Sequence, residues 1–192
     1  MGERARIGIL VGSKGRGSNA LSIARACQEG HINALVSVFI SPVEASDFMT
    51  EAVKLGLHTR VVPPGDQYPE RLLRAVQGCE WLCLAGYLRL LPSEVLDKFN
   101  DKILNIHPSL LPKYGGRGMF GMHVHQAVIL AGETVSGCTV HRVNEVYDAG
   151  EIVCQRTCPV LPGDSPETLA RRVLAEEHLA YIEALKQLLP TP

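Results

Sequence analysis

Asn105 and His107 stand two residues apart in a short apolar run, residues 103–107, that stops at Pro108. On a strand, residues two apart point to one face. The run therefore predicts a buried strand whose end delivers both polar side chains to the rim of a sheet. The asparagine offers a neutral amide donor, and the histidine titrates near neutral pH. Pro108 and Pro112 stiffen the segment that follows, because proline fixes its own φ. On these residues alone two readings stand: a strand end with hydrogen-bonded Asn and His, or a pair held in place for chemistry. A lone acid, Asp148, sits in the turn at residues 146–150 after another strand-like run, residues 137–143.

A second polar element, residues 12–19 (GSKGRGSN), joins a first apolar strand to a first helix. Backbone N–H groups at such a junction form a natural anion site. No Lys-Ser/Thr pair follows Gly17, so it is not a Walker A loop. Gly15-x-Gly17-x-x-Ala20 fits the looser dinucleotide pattern, yet the second strand ends at Ile40-Ser41 without the acid that would hold a ribose. Phosphate binding and a plain turn both remain open here. Glu177 falls on the apolar stripe of the closing helix with Leu169, Val173, Tyr181 and Leu185, where an acid is costly without a partner. An ion pair to Arg171 or Arg172 within that helix is the plain alternative. His123 and His125, two apart on a helix start, do not face together, and no cluster has metal-ligand spacing.

The elements that must position these groups follow from periodicity. Apolar strands are expected at 7–11, 35–40, 59–62, 81–85 and 103–107, separated by helices at 18–28, 47–55, 69–77 and 92–99. Strands apolar on both faces, alternating with helices, predict a parallel sheet covered on both sides, a Rossmann-like doubly wound α/β fold. After a helix at 123–131 the pattern changes. Strands at 135–143 and 151–160 are joined by a turn too short for a helical crossover, so that pair is expected to be antiparallel. A long helix from 165 or 166 to about 189 closes the chain, with Pro166 in its first turn and Pro190 ending it. Residues 1–192 are expected to form a single domain.

With 19 Lys+Arg against 20 Asp+Glu the net charge is −1. That leaves no basic surplus for nucleic acid, and any anion must be met locally. Hydrophobic content of 46% with 20% charged residues is ordinary globular composition. No apolar run approaches a membrane span. The segment after the two N-terminal arginines is too short for a signal peptide and lacks a cleavage site. Six cysteines lie within apolar runs or expected elements without C-x-x-C spacing, which reads as buried free thiols in a reducing cytoplasm.

Taken together, LNIHPSLLPKY, SGCTVHRV, YDAGEIV, AGYLRLL at 85–91 and GSN at 17–19 mark a chain that resembles the folate-dependent formyltransferases. The pieces span residues 7 to about 185, and the branch matched most closely acts on glycinamide ribonucleotide in de novo purine synthesis. The resemblance implies transfer of a formyl group from 10-formyltetrahydrofolate, a co-substrate, to the amine of that ribonucleotide, with no metal. It implies a reaction centre of Asn105, His107 and Asp148. Asp148 is expected to hold His107 charged and to relay a proton through water, and His141 to support the Asp148 turn. Gly17, Ser18 and Asn19 would hold the phosphate and Glu177 the ribose. Leu88, Arg89, Leu90 and Leu91, with Asn105, would wall the folate. Relatives acting on methionyl-tRNA carry an added C-terminal domain and deformylases an N-terminal one, and this chain is expected to have neither. A non-catalytic phospholigand-binding module is the alternative from another class; it leaves the joint presence of Asn105, His107 and Asp148 without a reason. Partners are expected to be these small molecules, with the protein a monomer or homodimer in the cytoplasm.

Two stretches depart from the family pattern. The loop at 12–17 is longer and adds Lys14 and Arg16. Residues 114–121 read YGGRGMFG, with four glycines from 115 to 121 and thus wide backbone freedom. That segment is expected either to act as a lid carrying Met119 and Phe120 or to pack as a static loop.

Overall fold

The computed structural model describes residues 3–13 and 17–189; Lys14 and Arg16 lie outside them. The elements run β1 (Ala5–Val11), α1 (Ser18–Gln28), β2 (Ala34–Ser41), α2 (Asp47–Lys54), β3 (Thr59–Val61), α3 (Tyr68–Ala75), β4 (Trp81–Ala85), α4 (Ser93–Phe99), β5 (Ile103–His107), α5 (Met122–Leu130), β6 (Val135–Arg142), β7 (Ile152–Pro159) and α6 (Pro166–Leu188). They form a seven-stranded sheet in the order β3-β2-β1-β4-β5-β6-β7. The strands from β3 to β5 are parallel, and β7 runs antiparallel to β6. This is the mostly parallel, doubly wound α/β fold expected, with its antiparallel pair and long closing helix. One pairing was not foreseen: β6 also runs antiparallel to β5. Local hydrophobic pattern fixes a strand's faces, not its neighbour.

The period-two alternation of the central strands divides the core. Ile7, Ile9 and Val11 of β1 and Cys83 and Ala85 of β4 pack on one face against Ile23 of α1 and Tyr181 and Leu185 of α6. Leu10, Leu82 and Leu84 point the other way, against Leu72, Val95 and Phe99 of α3 and α4. Ser46 caps α2 by accepting from the Met49 N–H, and Ser165 and Thr168 form a reciprocal capping box at α6, which satisfies N–H groups a helix start leaves open. Cys27, Cys83, Cys138, Cys154 and Cys158 are buried free thiols and Cys79 is half-buried.

Tyr181 ties α6 to the strands beneath the site. It is fully buried, and its hydroxyl donates toward the carbonyls of Leu84 at 3.1 Å and Leu104 at 2.9 Å. Those carbonyls belong to β4 and β5, immediately before the two segments that end at the cavity. Removing a buried donor leaves acceptors unsatisfied, at a cost of about 1–3 kcal/mol. Tyr181→Phe should therefore lower unfolding stability by about that amount in urea titration with an unchanged m-value. A variant as stable as the parent would show the hydroxyl to be dispensable.

Candidate active site

The site is assembled where the parallel part of the sheet meets the antiparallel part. Ile103, Asn105 and His107 share one face of β5, while Leu104 and Ile106 turn into the core beside α6. Antiparallel register sets Asn105 opposite His141 and His107 opposite Thr139. Directly opposed side chains are close enough to bond, and Asn105 Nδ2 lies 3.1 Å from His141 Nε2. His141 Nδ1 is 2.8 Å from the Arg142 carbonyl. A carbonyl only accepts, so this nitrogen carries a proton and, in the neutral ring, Nε2 accepts from the asparagine amide. One N–H of Asn105 is then spent and the second remains for a ligand.

Asp148 enters from the turn between β6 and β7, in a left-handed conformation with φ 55°. Its Oδ2 stands 3.4 Å from His107 Nδ1 and its Oδ1 3.6 Å from His141 Nε2. The backbone N–H of Gly116 donates to Oδ2 at 2.9 Å. Asn105, His107 and Asp148 are thus brought together as expected, and His141 supports Asp148 while also orienting Asn105. Burial pushes the Asp148 carboxyl up, but the Gly116 N–H, with His141 and His107 when either ring takes a second proton, more than offsets this and leaves it below its ordinary value.

The charge state of His107 differs from expectation. Its Nε2 is 2.8 Å from the Tyr114 carbonyl, so the proton of the neutral ring sits there and Nδ1 faces the carboxylate. Burial lowers its pKa, and Asp148 and the Tyr114 carbonyl raise it back only in part. Desolvation outweighs the acid, and the resting ring favours the neutral form.

The segment after His107 is anchored more by polar contacts than by its prolines. Thr139 is fully buried, donates to the Ser109 carbonyl at 2.6 Å, and accepts from the Leu111 N–H and from Gln155. Ser109 in turn donates to the Lys113 carbonyl at 2.7 Å. The glycines that follow are structural as well as permissive. A Cβ on Gly115 would come within 2.5 Å of Leu111 and 3.3 Å of the Asp148 Cβ, and Gly116 reaches Asp148 with φ 93°. Further along, Phe120 is 41% exposed, with its ring 5.3 Å from that of His123. It does not pack in the core, as a static loop would have it.

Two adjoining cavities lie at this end of the sheet. The larger, of about 790 Å³, is lined by Asn105, His107 and Asp148 together with all four residues 88–91. Leu88 and Leu90 expose 44% and 47% of their surface there, whereas Leu91 is anchored in the core. Sequence reasoning missed Tyr87, Val146 and Tyr147 as lining residues. Their only signal was adjacency to the strand end and to Asp148.

The second cavity, of about 600 Å³, is lined by Gly17, Ser18, Asn19 and Glu177. The α1 cap, Gly17, has φ 63°; among the described residues no side chain caps the helix, and its first turn holds no acid, an arrangement open to an anion. Asn19 Nδ2 donates to Glu177 Oε2 at 2.6 Å. This overturns the intrahelical ion pair weighed for Glu177: Arg172 bonds Asp164 instead. Burial raises the Glu177 pKa, and the Asn19 bond offsets that only in part. The two cavities share Asn19, Gly86, Pro108, Gly121, Met122 and Glu177, so they open into one another beside His107. Among the described residues no group of three His, Cys, Asp or Glu could hold a metal.

His125, on α5, also lines the second cavity. It is 5% exposed, its Nδ1 has no partner, and burial with the nearby His107 pushes its pKa down to about 4. A histidine depressed below its unfolded value of about 6.5 contributes stability above that pH and loses it as pH falls toward the folded value. The protein should lose about 3 kcal/mol from this group between about pH 6.5 and 4. In His125→Asn that part of the acid slope should vanish in equilibrium unfolding; equal slopes in the two proteins would overturn the assignment.

Comparison with known proteins agrees with this geometry. Residues 6–185 match the family described as formyl transferase. A chloroplastic phosphoribosylglycinamide formyltransferase of Arabidopsis thaliana is 38% identical over 191 residues, covering 95% of this chain and 65% of that protein. The trifunctional purine biosynthetic protein adenosine-3 of Homo sapiens is 35% identical, covering 96% of this chain and 18% of that one. The chain thus spans just under two thirds of the length of its plant relative. Among solved structures, glycinamide ribonucleotide transformylase 1 from Symbiobacterium toebii superposes with a TM-score of 0.88 at 37% identity, over 97% of this chain and 88% of that chain. The match runs through every strand and helix that builds the site, and the chain belongs to the formyl transferase family.

Proposed function

We propose that this protein transfers the formyl group of 10-formyltetrahydrofolate to the amine of glycinamide ribonucleotide, a step of de novo purine synthesis. The observation that carries the reading is that the cavity lined by Asn105, His107 and Asp148 opens, past Asn19, Pro108 and Glu177, into the smaller one. One is walled by exposed leucines suited to a flat pterin, and the other has an open helix N-terminus and an Asn–Glu pair suited to a phosphate and a ribose. Leu88, Arg89, Leu90 and Leu91 would wall the folate, and Gly17, Ser18, Asn19 and Glu177 would hold the ribonucleotide.

The chemistry of the side chains fits direct attack by an amine. The amine nitrogen adds to the formyl carbon, and the carbonyl π electrons move onto oxygen. The second N–H of Asn105 donates to that developing oxyanion. His107 is neutral at rest because it is buried; taking a proton on Nδ1 as charge develops, it pairs with Asp148 and opposes the oxyanion. Interactions that strengthen only in the transition state are those that accelerate the step. The proton lost by the attacking nitrogen passes by way of Asp148 and His107, through water, to the departing folate nitrogen. Collapse re-forms the carbonyl and breaks the bond from carbon to that nitrogen.

The test is ultraviolet detection of folate product with glycinamide ribonucleotide, methionyl-tRNA or water as acceptor. Release with the ribonucleotide alone is expected; release with water alone would mark a deformylase and overturn the reading. Asn105→Ala should lower kcat about 10²–10³-fold, with His107→Ala and Asp148→Asn at least as impaired while melting normally. Full turnover in any of these would remove that residue from the reaction centre.

The same reading gives residues 115–121 a role as a lid. Met119 and Phe120 line the larger cavity, where they would exclude water from the formyl group. Replacing both with Ser should leave Tm nearly unchanged and raise the fraction of formylfolate hydrolysed per transfer. A lowered Tm with an unchanged ratio would show a packed loop instead.

A further inference from the structure

We propose that Arg171 is the cation that binds the phosphate of the acceptor and so sets the preference for a phosphorylated over a dephosphorylated amine. This deepens the acceptor-site reading above and rests on it. Arg171 lies on α6 and faces the smaller cavity with Gly17 and Ser18 of the α1 terminus. It is exposed, and it makes no hydrogen bond or ion pair with any described residue. The contrast with its neighbour is informative: Arg172 is fully engaged, by Asp164 at 2.6 and 3.0 Å and by the Pro159 carbonyl at 2.9 Å.

Charge accounting among the described residues supports a role for Arg171. Among the described residues lining this cavity the formal charges are Glu167, Glu177 and Arg171. Without the arginine, a phosphate would enter a cavity edged by two carboxyl groups, with only the partial charge of a helix terminus, about half an elementary charge, to meet it. The α1 terminus offers donors in fixed positions, and a guanidinium adds a fork of charged N–H groups that matches phosphate geometry. A second feature points to a ligand independently of the helix. Buried His125 and half-buried Asn19 each hold a polar atom without a partner, Nδ1 and Oδ1, and both residues line this cavity. Buried polar atoms are normally bonded, so the cavity is shaped for a ligand with several polar groups, of which the phosphate is the one that meets Arg171. Helical spacing places Arg171 between Glu167 and Leu174 on the same face. Leu174 supplies no charge, so no other side chain of that face takes the role.

The experiment compares wild type, Arg171→Gln and Arg171→Lys with glycinamide ribonucleotide and with its dephosphorylated riboside. A charge-assisted contact predicts that Arg171→Gln raises KM for the ribonucleotide by roughly ten- to a hundredfold. KM for formyltetrahydrofolate, KM for the riboside and Tm should stay near wild type. Arg171→Lys should recover part of the loss, since it keeps the charge but not the fork. Inorganic phosphate should inhibit wild type competitively with the ribonucleotide, and Arg171→Gln much less. If wild type prefers the ribonucleotide and Arg171→Gln keeps that whole preference, the phosphate is held elsewhere and this inference fails while the acceptor reading stands. If wild type uses the riboside as well as the ribonucleotide, the acceptor reading fails with it.

Discussion

The site depends on one carboxylate being held from three sides. Asp148 meets His107, His141 and the Gly116 N–H, and these belong to β5, β6 and the glycine-rich segment. A carboxylate that accepts an N–H and faces two rings able to take a proton stays ionised despite burial, and each contact also fixes the element that supplies it. The left-handed backbone at Asp148 is a strain of about 1–3 kcal/mol that only such over-determined surroundings retain. Loosening one partner would therefore disturb the other two, and with them the placement of Asn105 through His141.

The switch in strand direction makes that arrangement reachable. Parallel strands present the C-terminal ends of β1, β4 and β5 at one edge, where ligands of open α/β sheets bind. A further parallel strand would bring another C-terminal end to that edge. The antiparallel β6 instead lays its C-terminal half alongside β5, setting His141 and Thr139 opposite Asn105 and His107. The turn that follows β6 brings Asp148 back to His107. The left-handed Gly17 and the close Gly115 serve the same edge by letting α1 and the glycine-rich segment approach it.

Much of this was legible in the sequence, for identifiable reasons. Strands and helices were readable because apolar periods of two and about 3.6 are local properties, and the element boundaries fell within a residue or two. Asn105, His107 and Asp148 were readable by type and family pattern. What escaped was set by contacts distant in sequence. The pairing of β5 with β6 depends on which edge is open. The Asn19–Glu177 bond joins α1 to α6, so two residues given separate roles, one on the phosphate and one on the ribose, form one unit. The direction of the His107 shift is a balance between desolvation and a nearby acid, and sequence shows the acid but not the burial. Lys14 and Arg16, which would either strengthen the anion site or be solvated, lie outside the described residues.

The two cavities also differ in a way that follows from what each must exclude. The larger is edged by side chains that apolar burial would normally hide, Leu88, Leu90, Phe120 and Val146, each more than 40% exposed. Scattered exposed apolar residues are ordinary, but a contiguous set around a concavity marks a surface meant to be covered. At about 25 cal/mol per Å², covering it with a flat apolar ring would favour binding and expel water at the same time. The smaller cavity is edged by charges of both signs and by polar atoms without partners, which favour a polar guest instead. Segment 115–121 touches both demands: its first glycines bind Asp148, and its Met119 and Phe120 line the apolar side. The same short segment thus joins the apolar wall to the backbone that holds the carboxylate.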